Sequence, residues 1–118
     1  MYQAGIAPDK TMAPAGEPIS KIIMEAMNTN VAGAAQTAEA FIPLLSKAEN
    51  PRIIFMSSGL GSLQRHSVLG FNNKWPAYSA SKAALNMIVL YFWQRFPEWK
   101  VNACCPGFRV GGNCVVQW

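Results

Sequence analysis

Tyr78-Ser79-Ala80-Ser81-Lys82 is the stretch whose reading decides this chain. A tyrosine and a lysine four residues apart share one face if the segment is helical, close enough for the ammonium to act on the phenol. A free tyrosine titrates at about pH 10, so it exchanges protons poorly at neutral pH unless a nearby positive charge favours the phenolate. Lys82 supplies such a charge. The plainer account is an ordinary helix start with a surface lysine, so the flanking segments have to decide.

Downstream, Leu85, Met87, Ile88, Val89, Leu90, Tyr91, Phe92 and Trp93 leave little polar face. The spacing predicts a helix over 78–96, buried by a sheet on one side and by another subunit on the other. Lys100 to Cys105 then reads as a short strand, stopped by Pro106-Gly107. Upstream, Arg52-Ile53-Ile54-Phe55-Met56 has the β-branched and aromatic content of a buried parallel strand. It opens directly into Ser57-Ser58-Gly59-Leu60-Gly61-Ser62, and hydroxyls at the carboxyl end of a parallel strand are well placed for chemistry. Gly59-x-Gly61 lacks the third glycine of a dinucleotide fingerprint and is not followed at once by a helix, so it does not read as a phosphate loop. Residues 62–76, with His66, Gly70, Asn72, Asn73 and Trp75-Pro76, read as a long loop that binds substrate or forms a lid.

Further upstream, Ile19, Ile22, Ile23, Ala26, Met27, Val31, Ala34, Ala35, Ala38, Phe41, Ile42 and Leu45 recur at helical spacing and predict one long helix over 18–47. Asn28, Asn30 and Gly33 interrupt it with poor helix formers, and Pro43 weakens its last turn. Residues 1–17 read as an N-terminal loop, with Gly5, Pro8, Pro14 and Gly16, and 108–118 as an irregular tail.

Composition bounds the rest. The 118 residues fit one small domain, and 51% hydrophobic with 14% charged content is apolar enough that some helical faces call for a cover from outside this sequence. The net charge of +4 is scattered, without the basic run that tracks a phosphate backbone, so nucleic acid is not implied. Cys104, Cys105 and Cys114 form no paired spacing and His66 is the one histidine, which supports neither a disulfide framework nor a metal site. The expectation is a reduced, cytoplasmic chain with no secretory signal at its start and no apolar run long enough to span a membrane.

Helix, strand, loop, helix, strand is the order of half of a doubly wound sheet, so the fold expected is α/β, a partial Rossmann-like parallel sheet. Gln3-Ala4-Gly5-Ile6, Asn30-Val31-Ala32-Gly33, the Ile53 to Ser58 strand end, Tyr78 to Lys82, and Val101 to Gly107 occur in this order. With these motifs the chain, over roughly residues 3–109, resembles the short-chain dehydrogenase/reductase family. The resemblance implies an oxidoreductase moving hydride between NAD or NADP and a small alcohol or carbonyl substrate. It implies Tyr78 as the general acid/base and Lys82 as the residue that favours the phenolate and holds the nicotinamide ribose. Ser58 would hydrogen-bond the substrate oxygen, and Asn30 would hold a water linking Lys82 to solvent. Pro106 and Gly107 would lie against the nicotinamide, with Gly5 near the adenosine side. It implies too that the family's first half is missing, and with it the glycine-rich turn that grips the phosphates. The interval from Ser58 to Tyr78 is longer than the family's, and the tail after Phe108 lacks its usual hydroxyls.

Each residue also has a plainer account. Asn30 could be a satisfied polar group in a helix bend, and Ser58 a strand-end hydroxyl capping its own turn. His66 reads as a loop residue, Cys104 and Cys105 as core, and Trp75, Trp93 and Trp99 as packing. Two further readings compete for the whole chain: an inactive remnant associating through helices 18–47 and 78–96 as a homo-oligomer, and a chain that does not fold alone.

Overall fold

A computed structural model describes residues 5–8, 17–68 and 74–107. Helix α1, Ile19–Met27, runs through a π-helical turn, Asn28–Ala32, into α2, Gly33–Leu45. Strand β1, Arg52–Met56, follows, then a single 3₁₀ turn at Gly59–Gly61 and a short helix α3, Leu63–Val68. Helix α4, Pro76–Arg95, leads to strand β2, Lys100–Cys104. The architecture is α/β, with β1 and β2 parallel from Arg52 opposite Lys100 to Met56 opposite Cys104. Two parallel strands need a crossover, and α4 supplies it across the sheet face.

The long first helix is interrupted where its sequence is weakest. At Asn28–Ala32 the backbone N–H of Gly33 reaches back to the Asn28 carbonyl, five residues away. This inserted residue re-aims the Asn30 side chain, a role single π turns often fill at functional positions. Pro43 has no N–H to give, and α2 ends two residues later, at Leu45. Pro76 occupies the first turn of α4, where its missing N–H costs nothing and its fixed φ suits the helix.

The core forms where α4 crosses the sheet: Phe55, Leu85, Val89, Phe92, Trp99, Val101 and Ala103, with Ala38 of α2. Ala77, Ser81, Leu85 and Val89, four residues apart, mark the buried stripe of α4, extended by Phe92. Phe55 packs on Phe92 at 5.5 Å between ring centroids, and Phe96 stacks on Trp99 at 4.1 Å.

Several expectations change. Residues 63–68 are helical, where a continuous loop over 62–76 is predicted; Ser62 Oγ accepts the Arg65 N–H, closing the first turn locally. Gly70, Asn72 and Asn73 of that loop, and the tail from Phe108 onward, lie outside the described residues. Trp93 is 53% exposed and packs no core, because it lies off the buried stripe. Cys105 lies beyond the end of β2 and its thiol accepts the Gly59 N–H at 3.1 Å, so it belongs to the strand ends and not to the core.

Candidate active site

The carboxyl ends of β1 and β2 and the first turns of α4 converge. At the end of β1, the Met56 carbonyl accepts a hydrogen bond from Lys82 Nζ at 2.8 Å. Lys82 is 4% exposed, and burial pushes its ammonium pKa below the ordinary value of 10.5. Its Nζ lies 5.6 Å from the centre of the Tyr78 ring. The four-residue spacing therefore does bring the two side chains together, on a buried flank of the helix.

Asn30 comes in from the π turn. Asn30 is 1% exposed and both of its amide N–H groups are bonded: Oδ1 accepts the Ile6 N–H at 2.7 Å, while Nδ2 donates to the Ile6 carbonyl at 2.8 Å and to Ser81 Oγ at 2.9 Å. The two bonds to Ile6 imitate one rung of a sheet and hold the Gly5–Pro8 segment against α4. Gly5 consequently stands before both groups: a Cβ on it would lie 3.5 Å from Asn30 Oδ1 and 3.6 Å from Lys82 Nζ.

Ser57 and Ser58 leave β1 in different directions. Ser57 is buried and its hydroxyl donates to Asn86 Oδ1 of α4 at 2.6 Å. Ser58 is half-buried, and its Oγ accepts the Leu60 N–H at 3.2 Å, capping the 3₁₀ turn. Capping uses a lone pair and leaves the hydroxyl proton of Ser58 to donate elsewhere. Both accounts of this serine are thus compatible. A cleft of about 90 Å³ at these strand ends is lined by Ser57, Ser58, Ser62, Arg65, Asn86 and Cys105. Beyond β2, Pro106 leads into Gly107, whose φ of 73° lies in the left-handed region that favours glycine.

The Gly59-Leu60-Gly61 turn packs on α4. A Cβ on Gly61 would come within 2.7 Å of the Lys82 carbonyl carbon and 2.9 Å of the Ala83 nitrogen, so the turn rests directly on the α4 backbone. His66 ties α3 to this turn through Nε2 and the Leu60 carbonyl, 2.8 Å apart. Among the described residues no group of three or more His, Cys, Asp or Glu side chains could hold a metal. A second, apolar cleft of about 570 Å³ runs along β1 and α2, lined by Phe41, Leu45, Ile53 and Phe55 among others. Neither Tyr78 nor Lys82 lines either cleft.

Sequence reasoning passes over Ser81, Ile6 and Asn86. Ser81 lies three residues after Tyr78, the spacing at which a helical serine bonds back to a carbonyl, and that signal was available. Ile6 and Asn86 act through contacts 24 and 29 residues distant in the chain, which no local pattern reveals.

A family model described as short chain dehydrogenase matches residues 1–111. A short-chain dehydrogenase/reductase of Stachybotrys chlorohalonatus is 53% identical over 92 residues, covering 78% of this chain and 33% of that protein. A (+)-neomenthol dehydrogenase of Capsicum annuum is 27% identical over 124 residues, covering 75% of this chain and 40% of its own length. The chain thus spans a third to two fifths of these relatives. Among solved structures, the NADPH-bound carbonyl reductase from chicken fatty liver superposes with a TM-score of 0.73 at 28% identity, over 88% of this chain and 43% of that one. An oxidoreductase from E. coli gives 0.69 at 27% identity, over 88% and 39%.

Proposed function

Because the chain belongs to the short-chain dehydrogenase family, we propose that it carries the proton-transfer part of a site that interconverts an alcohol and a carbonyl group. The observation that carries this reading is the Lys82 ammonium, buried, tied to the Met56 carbonyl and set beside the Tyr78 ring. A phenol that exchanges protons near neutral pH needs such a charge. In this reading Tyr78 gives its proton to the substrate oxygen during reduction and takes it back during oxidation. Ser58 donates its free hydroxyl proton to the same oxygen. Asn30 holds a water that leads from Lys82 to solvent.

The cofactor of this reading is NAD or NADP, which when bound supplies or accepts the hydride. The described residues fit its nicotinamide-ribose end. Lys82 spends one of three N–H donors on Met56 and keeps two for ribose hydroxyls. Gly5 offers no side chain in front of Nζ, and Pro106-Gly107 lie beyond the end of β2, with Gly107 at a φ of 73°. The Gly59-Leu60-Gly61 turn ahead of α3 has no third glycine and rests on the α4 backbone, so the phosphates are held, in this reading, by polypeptide other than the described residues. Turnover by these 118 residues alone is accordingly weak or absent, while the site residues remain arranged for it. The test is carbonyl reduction with NADPH or NADH by the chain and its Tyr78→Phe variant. Turnover that survives the substitution would refute the assignment.

Met87, Leu90, Tyr91 and Trp93 expose an apolar face of α4. They support a second reading in which two copies associate through this helix and α1–α2. No helix among the described residues is long and apolar enough to cross a membrane.

A further inference from the structure

Ser81 is wholly buried and sits between the two residues of the proton-transfer pair. Its hydroxyl has one proton, which goes to the Tyr78 carbonyl at 2.8 Å. At Asn30 it can therefore only accept, and it does so from Nδ2 at 2.9 Å. This fixes the orientation of the Asn30 carboxamide. With Nδ2 turned to Ser81, Oδ1 faces the Ile6 N–H and the second Nδ2 proton faces the Ile6 carbonyl. Turned over, the amide would oppose donor to donor at Ile6 and leave Oδ1 against a hydroxyl already committed elsewhere, each an unsatisfied buried group.

We propose that Ser81 is a positioning residue, which through Asn30 sets the Gly5–Pro8 segment in front of Lys82 and through the Tyr78 carbonyl pins the helical turn that carries the phenol. Its description as part of a site rests on the proton-transfer reading above; its control of the Asn30–Ile6 lock does not. Helix ends fray within about one turn, and Tyr78 lies in the first turn of α4. A second hydrogen bond on its carbonyl holds that turn closed. Asn30, held by the same hydroxyl, cannot rotate away from Ile6 without breaking the Ser81 bond.

The experiment is amide hydrogen exchange with side-chain NMR on the full 118-residue chain. Ser81→Ala is expected to raise the exchange rate of the Ile6 N–H about tenfold or more, in line with the loss of a buried bond, and to shift the Asn30 side-chain amide resonances. Asn30→Ala is expected to raise the Ile6 rate at least as much, and the double variant no further. The proposal is overturned if Ser81→Ala leaves the Ile6 rate within about twofold of the parent, or if the two substitutions multiply. Where Ser81→Ala gives no cooperative melt, the unsubstituted chain decides: both Nδ2 protons of Asn30 exchange slowly if the lock exists, and free exchange of either overturns it. Failure of the Tyr78→Phe test would remove the catalytic reading while leaving these exchange results unchanged, so the two are separable.

Discussion

Substituting Gly61 by alanine tests whether the strand-end turn is a packing device. The added Cβ would meet the α4 backbone at three points: the Lys82 carbonyl carbon at 2.7 Å, and the Lys82 oxygen and Ala83 nitrogen at 2.9 Å. Ordinary contact begins at 3.4 Å, so the turn must retreat by about half an ångström or more. Neither side can yield by a rotamer change, because the obstruction is helix backbone hydrogen-bonded to itself. Overpacking of this kind costs about 1–3 kcal/mol, against which alanine recovers about 0.4–1 kcal/mol by restricting the unfolded chain. The expected net loss is about 1.3 kcal/mol, a fall in Tm of about 5 °C for a domain of this size. Gly59→Ala is the internal control. There the new methyl meets the Arg65 guanidinium, the far end of an exposed side chain that can swing aside. Its cost stays within about 0.5 kcal/mol. The assay is thermal melting by circular dichroism. Equal melts for Gly61→Ala and Gly59→Ala would refute the reasoning.

Lys82 makes stability depend on alkaline pH. Its folded pKa lies below 10.5, so as pH rises between the two values the unfolded chain still holds a proton that the folded chain has lost. Stability therefore climbs with pH across the window ending at 10.5 and is flat below the folded value. Subtracting the profile of Lys82→Met, which cannot titrate, isolates this climb from the other lysines. A falling or flat difference in urea melts at stepped pH would contradict the burial of the ammonium. For association through α4, light scattering after size exclusion is expected to give a dimer mass, and Trp93→Glu with Leu90→Glu to return a monomer; a parent chain that is monomeric throughout counts against that reading.

Much of this architecture is legible in local sequence. The strand at 52–56, the crossover helix, the second strand and the π-helical irregularity at Asn30 follow from local rules: β-branched runs, apolar periodicity, a proline at a helix start, and poor helix formers placed together. The family follows too, since Asn30, Ser58, Tyr78, Lys82 and Pro106-Gly107 stand in one order. Tertiary structure decided what those residues touch. Only the packing of α4 beside β1 makes the Met56 carbonyl a partner for Lys82, and only the approach of Ile6 and of α4 to the π turn gives Asn30 its bonds to Ile6 and Ser81. Gly61 belongs to a Gly-x-Gly pair that has no phosphate-loop reading in the sequence, and the closeness of the α4 backbone makes it a contact point. Ser81 looks like spacer between Tyr78 and Lys82, and burial makes its single proton the group that orients Asn30. Local patterns fix which backbone forms; hydrogen-bond partners distant in the chain are fixed by packing, because a polar group buried there must find its partner wherever the fold brings one.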